Sequence, residues 1–509
     1  MMSLGTVTTA TLTGVTGLLV SVEAAVSRGL PGVYVVGLGD AAVSEAKVRI
    51  KAAFEHCQLP WPRTKVVVSL GPAHVRKHGS HFDLAMAMAI MAAQNTTLTL
   101  TRRLIATAWI GELGLDGTLR PVPGAVGLVA AAQGCGVNTA VIPAENAAEA
   151  AVIEGMDIRI ARTLHECVQF AAGVVDLPVV SPAQSGEPAP SLDMADVVGQ
   201  DTAKKAAEIA AAGGHHMFMS GPPGSGKSLI AARLPTLLPA LDGPARRETT
   251  MVHSLVGNTG FRPLSQPPFY APHHTVTRVD LVGGGVGVPK PGAVSLAHNG
   301  VLFLDEVSEV PAAVLDCLRI PLESREVVFM RGHQEITYPA RFQLVMASNQ
   351  CHCGAASQSE CRCTGAQRLR YLSNVSGPLW DRIGLVVHTD SGGSLLHSGN
   401  EESSAVIAQR VAAARERATF RWGRLGLEAR VNADVPGTVL RRRCPPDESA
   451  MRQLEHSLKR GRVSHRGVDR TLRIAWTLAD LAGEDTVRSD HLTLAAQWHN
   501  VEKVVPCNA

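Results

Sequence analysis

Aromatic side chains are scarce in this chain, at 4% of 509 residues, and charged residues reach only 18%. The net charge of +3 is too small to surround the whole molecule with a field that draws in polyanions. No apolar run is long enough to cross a bilayer. The best candidate, GVTGLLVSVEAAV, is short and broken by Glu23. The N-terminus lacks a positive stretch ahead of an apolar core, so no secretory signal is expected. The chain therefore reads as cytoplasmic and free of membrane contact, in a compartment where thiols stay reduced. No tandem repeat and no long low-complexity tract interrupts it. What is present is an ordinary apolar fraction of 45% over a length that suits two or three domains.

Residues 1–175 read as mixed α/β. VYVVGL and TKVVVSL are short β-branched runs, and FDLAMAMAIMAA is helical in pattern. DLPVVSPAQSGEPAPSLD, residues 176–193, is rich in Pro and Ser and reads as a linker. A second block, residues 194–393, opens on the Ala-rich helix of VVGQDTAKKAAEIAAAGG. TDSGGSLLHSGNEESS forms a softer joint, and residues 394–509 are patterned as helices with Arg on their exposed sides. The basic surplus lies in this last part, in RRRC and KRGRVSHRGVDR, and a solvated helix face explains such runs as readily as a ligand does.

The strongest local signal is MFMSGPPGSGKSLIAARL: a strand, a Gly-rich turn, then a helix. Gly221, Pro222, Pro223, Gly224, Ser225, Gly226, Lys227 and Ser228 fit the phosphate-loop pattern in full. Glycines let backbone N–H groups curl around the phosphates of ATP, and the helix N-terminus adds a favourable dipole. Lys227 is placed to reach the β- and γ-phosphates, and Ser228 to hold Mg2+. Downstream, the apolar strand GVLFLDE ends in two acids. Asp305 suits the Mg2+ and Glu306 suits a water-activating base. RFQLVMASN ends in Asn349, an amide able to orient the attacking water, and SGPLWDRIGL carries Arg382 after a short helix. An arginine there can reach a neighbour's γ-phosphate.

This order of motifs resembles AAA+ ATPases. The stretch APHHTVTRVDLVGGGVGVPKPGAVSLAHNGVLFLDE resembles the insert-bearing branch that holds magnesium chelatase motor subunits and minichromosome maintenance helicases. GLPGVYVVGLGDAAVSEAKVRI, NQCHCG with CRCTGAQ, SGPLWDRI and TLRIAWTLADLAG extend the likeness over nearly the whole chain. They make it similar to the ComM/YifB family of magnesium-chelatase-like proteins. It departs from that family at NQCHCG, where N-P-C-P-C-G is usual, and at PPFYAPHH, where R-P-F-R precedes the paired histidines. The resemblance implies an AAA+ core with a helical lid and a homo-oligomeric ring, usually a hexamer, with ATP between subunits. It also implies a lid arginine that touches the nucleotide in cis, for which Arg473 and Arg470, one helical turn apart, both qualify.

Four of the ten cysteines fall in CHCGAASQSECRC. Cys351, Cys353, Cys361 and Cys363 form two closely spaced pairs, and the small polar residues between them suit a hairpin tip. Folding the tip back gathers four sulfurs, as in a closed structural zinc site. Free or redox-sensing thiols and disulfides are the other readings, and the reducing compartment argues against the last. His352 reads as a bystander, with a fifth donor as the alternative, and the remaining six cysteines are expected to be buried apolar residues.

Residues 1–175 resemble the proteolytic domain of Lon-type proteases, but that family's serine falls on His81 and its lysine on Val126. Ser80 is one residue off and has no base evident in the sequence. A Ser–Lys dyad needs both groups in reach, so assembly or DNA engagement is expected here, not proteolysis. REVVFMRGHQEITYPARF resembles the hairpin that, in helicase relatives, points into the ring channel. It puts Arg331 and His333 at the tip for sequence-blind phosphate contacts. The expected function is thus an ATP-driven, DNA-stimulated ring motor for branch migration. A chelatase-type motor and a protein-remodelling ATPase are the alternatives.

Overall fold

A computed structural model describes residues 3–94, 102–181, 192–257, 263–331, 334–355, 361–389, 401–460 and 463–498. The run weighed above as a membrane segment is a strand. Thr16–Ser27 pairs antiparallel with Ser3–Thr13, from Ser3 opposite Val26 to Thr13 opposite Thr16. Its alternation of exposed and buried residues, with Val20, Val22 and Ala24 inward, is the period-2 pattern of a half-buried strand. Glu23 sits on the outer face, which is why it breaks the apolar run at no cost. The hairpin lies within a seven-stranded mixed sheet, ordered Gly32–Val36, Lys65–Gly71, Thr16–Ser27, Ser3–Thr13, Thr107–Trp109, Thr139–Pro143, Asp157–Ala161. Helix Asp83–Gln94 packs beneath it and is buried from Asp83 to Ala93. Pro178 and Val180, at the start of the expected linker, pair with the edge strand at Ile160 and Ile158.

The second sheet is parallel throughout, in the order Phe269–Tyr270, Val301–Leu304, Gln343–Ser348, Met217–Ser220, Leu385–His388. Its inner strands are buried on both faces, which explains their unbroken apolar runs. The loops at the carboxyl ends of such strands form the binding crevice of parallel sheets. Here they carry Gly221, Asp305 and Asn349. Helix Gly243–Ser254 joins the two sheets' surroundings: the Ser254 carbonyl accepts from the Gly124 amide at 2.9 Å, and Met251 packs against the first sheet's core.

Helices Ser404–Arg424, Gly437–Arg442, Glu448–Lys459, His465–Ala482 and Ser489–Gln497 follow. Their arginines are not simply solvated. Arg421 ion-pairs with Asp480, which is 1% exposed, and lies 4.1 Å from the Trp476 ring centroid. Asn432 donates to the other Asp480 oxygen at 2.8 Å and accepts from Trp422 at 2.9 Å. Removing one partner of a buried pair strands the other charge. Asp480→Ala is therefore expected to destabilise this helical unit by about 3–5 kcal/mol, seen as a lowered midpoint in urea monitored by Trp fluorescence.

Candidate functional site

Helix Lys227–Leu237 begins directly after the Gly-rich turn, with Gly224 and Gly226 at φ +74° and +86°. Gly221 meets the last strand's end so closely that a Cβ would lie 2.1 Å from Thr389 Oγ1 and 2.3 Å from its carbonyl. Glycine is the only residue that fits there. Lys227 is buried, and its Nζ donates to the carbonyls of Gly221 at 2.9 Å and Pro222 at 2.8 Å. Its third reach is Asn349 Oδ1 at 3.2 Å, which brings the amide of a neighbouring strand onto the phosphate loop. Burial holds the lysine below its ordinary pKa, while Asp305 and Glu306 work the other way.

Ser228 Oγ donates to Asp305 Oδ2 at 2.6 Å. Two hard oxygen donors side by side at a solvent-open edge suit Mg2+, whose own chemistry would be to bridge and neutralise phosphate oxygens. Glu306 follows at φ +48°, a left-handed conformation uncommon for a side-chain-bearing residue and frequent where function demands an awkward direction. Its amide donates to Asp305 Oδ1 at 2.9 Å. Its carboxylate lies 3.4 Å from His274 Nδ1, and His273 packs against His274 with ring centroids 4.0 Å apart and the rings tilted by 36°. In the sequence these paired histidines stand only inside a family motif and carry no role of their own. Their signal was the His-His pair placed upstream of the acidic strand.

The arginines are less tightly gathered. Arg382 bonds Glu323 at 2.7 Å and the Pro378 carbonyl at 2.7 Å, neither of them in the phosphate loop. Arg470 is buried and donates to the carbonyls of Trp380 at 3.2 Å and Ile383 at 3.0 Å; desolvation pushes its pKa down to about 10. It thus pins the helical unit to the turn that carries Arg382. Arg473 is half-buried, and its Nε donates to the Val435 carbonyl at 2.9 Å. Strands Glu326–Arg331 and Gln334–Pro339 form the expected hairpin, with Arg331 opposite Gln334 and its Nη2 bonded to the Gly285 carbonyl at 2.6 Å. His333 lies outside the described residues.

The sulfurs of Cys351, Cys353, Cys361 and Cys363 all lie within 4.8 Å of one another. Cys351 to Cys353 is 3.0 Å, and Cys361 is 3.4 Å from Cys351, so these are thiols and not disulfides. Four sulfurs at this spacing fit a tetrahedral soft ion at about 2.3 Å from each. The expectation that the other cysteines are buried holds fully only for Cys167. Cys135 is exposed, and Cys57, Cys317 and Cys444 are half-buried, whereas Cys507 lies outside the described residues. A single small thiol in an Ala/Gly-rich turn such as AAQGCG carries no periodic signal that would have placed it.

In the first sheet's surroundings, His81 is buried against the Ala10 carbonyl at 3.1 Å, and burial pushes its pKa down to about 4. Val126 is buried in the apolar core. Neither the serine nor the amine of a Lon dyad is supplied at these positions. Ser80 does have a partner that the sequence did not reveal: its hydroxyl donates to the Glu112 carboxylate.

A five-stranded parallel sheet with a phosphate loop, an acidic strand end, a polar strand end and a helical lid is an AAA+ ATPase core, here preceded by a Lon-protease-like α/β domain. The profile described as "Magnesium chelatase, subunit ChlI" matches residues 193–394. "Subunit ChlI of Mg-chelatase" matches residues 22–146, and "Magnesium chelatase, subunit ChlI C-terminal" matches residues 401–499. The chain is 38% identical over 513 residues to the competence protein ComM of Haemophilus influenzae, covering 99% of each. It is 37% identical over 508 residues to the uncharacterized protein YifB of Escherichia coli, covering 99% of this chain and 98% of that one. An uncharacterized Mycobacterium tuberculosis protein is 44% identical over 501 residues, 98% of this chain and 99% of its own. The chain belongs to the ComM/YifB family of magnesium-chelatase-like proteins. Over 141 residues, 26% of this chain, it is also 33% identical to Lon protease 2 of Bacillus subtilis, of which that covers 25%. Among the described residues no helix is long and apolar enough to cross a membrane.

Proposed function

We propose that the protein is an ATP-driven ring motor acting on DNA, a translocase or branch-migration helicase serving recombination or DNA uptake. The observation that carries the ATPase part is the convergence of Lys227, Asn349, Ser228, Asp305 and Glu306 at the strand ends. In this reading residues 221–228 cradle ATP, Ser228 and Asp305 hold Mg2+, Glu306 activates water and Asn349 orients it. Arg382 reaches the nucleotide of the next subunit in a ring, usually a hexamer, and Arg473 or Arg470 reaches it from the lid. The four cysteines hold a structural zinc. The units are residues 1–175, a linker 176–193, the core 194–393 and the lid 394–509. The DNA part is supported by likeness to a competence protein and by the Arg331 hairpin.

The test is ATP hydrolysis by the purified protein with and without single-stranded, duplex and four-way-junction DNA. Strong stimulation by DNA is the expected outcome, and a rate indifferent to all three would sink the DNA reading. The second reading, a motor for Mg2+ insertion into a porphyrin, rests on the profile descriptions. It predicts no DNA response and a requirement for partner subunits.

A further inference from the structure

The cysteine cluster leaves the strand that ends in Asn349 and lies against the phosphate loop. Gly354 turns back so that its amide donates to the Cys351 carbonyl at 3.2 Å, at φ +65°. A Cβ at Gly354 would sit 3.2 Å from Pro223 Cγ, so the backbone of this turn rests on the proline in the middle of the phosphate loop. On the other side of the same turn, His352 Nδ1 is 3.5 Å from Glu309, three residues after Glu306. Where the chain returns, Asn374 donates to the Ser308 carbonyl at 2.6 Å. Cys351 itself is 3% exposed, so its sulfur is anchored in the fold and not on a free tip. The cluster thus touches both the phosphate loop and the segment behind the acid pair.

We propose that one zinc ion held by Cys351, Cys353, Cys361 and Cys363 fixes the Gly354 turn against Pro223, so that the affinity of the phosphate loop for nucleotide depends on the metal. This rests on the zinc and ATP readings above and adds their coupling. Without a cation no covalent bond joins the four sulfurs, and a tetrahedral ion, on binding with release of the thiol protons, ties them together by four short bonds. The turn that follows the first two ligands is then rigid. Pro223 has a ring-locked φ, so a rigid neighbour restrains the direction of the loop's amides. Without the ion, the turn has no reason to keep its place and the loop loses more conformational entropy on binding phosphates. Coupling is reciprocal: nucleotide must hold the zinc by the same factor.

The experiment uses the full chain in reducing buffer, with zinc measured by atomic absorption and ATPγS affinity by titration calorimetry. About one zinc per chain is expected. Removing it with a chelator should weaken ATPγS binding by roughly 5- to 150-fold, the usual span of coupling between two sites. Adding zinc back should restore it, and saturating ATPγS should slow zinc release to a chromophoric chelator. Gly354→Asn keeps all four thiols, tolerates the left-handed backbone at this position better than other side-chain-bearing residues, and pushes on Pro223, so it should retain zinc yet bind ATPγS weakly. Lys227→Ala should lose nucleotide and keep zinc. Protein that binds ATPγS but carries no zinc overturns the metal site. Zinc-loaded protein whose ATPγS affinity changes by less than about twofold on metal removal overturns the coupling alone. Failure to bind ATPγS even when zinc-loaded overturns the nucleotide reading and this proposal with it.

Discussion

Glu306→Gln is expected to bind ATP and turn it over about 10²- to 10⁴-fold more slowly, the contribution of a positioned general base. The amide has the size of the carboxylate and keeps the left-handed backbone that aims it, but it cannot accept the proton of the attacking water. Asp305, one residue back, is bonded to Ser228 through one oxygen and to the Glu306 amide through the other, so it is not free to substitute. Lys227→Ala should behave differently. The ammonium reaches two loop carbonyls and Asn349, and no other lysine stands in the loop. Its loss removes the charge that meets the phosphates, so nucleotide binding itself should disappear. Equilibrium binding of a fluorescent ATP analogue, beside steady-state phosphate release, separates the two variants. A Glu306→Gln protein that hydrolyses at the wild-type rate would remove Glu306 from the chemistry and turn attention to His274, 3.4 Å away.

What could be read in advance was whatever the chain writes contiguously. The phosphate loop is eight consecutive residues whose spacing has a mechanical cause, and the acid pair and Asn349 each terminate an apolar run. The four thiols fall within thirteen positions. Pairings between distant positions were silent. Gly354 against Pro223, Ser80 with Glu112, Arg421 with Asp480 and Arg470 on the Trp380 and Ile383 carbonyls each join parts that one sequence cannot align. The first hairpin shows the opposite difficulty. Thr16–Ser27 alternates clearly enough for a strand, but its apolar outer positions, such as Leu18 at 41% exposure, blur the period when read as hydropathy alone. The helices of the lid are legible, but the surroundings of their arginines are not, for a physical reason as well. An arginine has the same letter whether it is solvated or, like Arg421, paired with the buried Asp480 and laid over the Trp476 ring, and only packing distinguishes them.

Arg331→Ala is expected to leave basal ATP hydrolysis nearly intact and to abolish movement on DNA. The hairpin that carries it forms a two-stranded sheet of its own, and Arg331 bonds to Gly285 and not to the phosphate loop, so the chemistry should not feel the change. Binding should weaken alike on unrelated sequences, because phosphates carry no base identity. Its salt dependence should also become shallower, by about one released counterion for each phosphate that a subunit no longer neutralises. The substitution does a second thing, however. Arg331 also ties the hairpin to the glycine-rich segment through the Gly285 carbonyl, beside the Tyr338 hydroxyl bonded to Pro289 at 2.5 Å. Losing the charge and loosening the hairpin would both impair translocation. Arg331→Lys tells them apart, since lysine keeps the positive charge but not the guanidinium geometry. If the bond to phosphate is what matters, the lysine variant should recover most DNA affinity and the salt slope of the native protein. If the tie to Gly285 matters more, both variants should bind DNA with the native slope yet fail to migrate a four-way junction. An alanine variant that binds and migrates junctions as the native protein does would take DNA out of the hairpin's reach. Weight would then pass to the reading in which the ring remodels proteins.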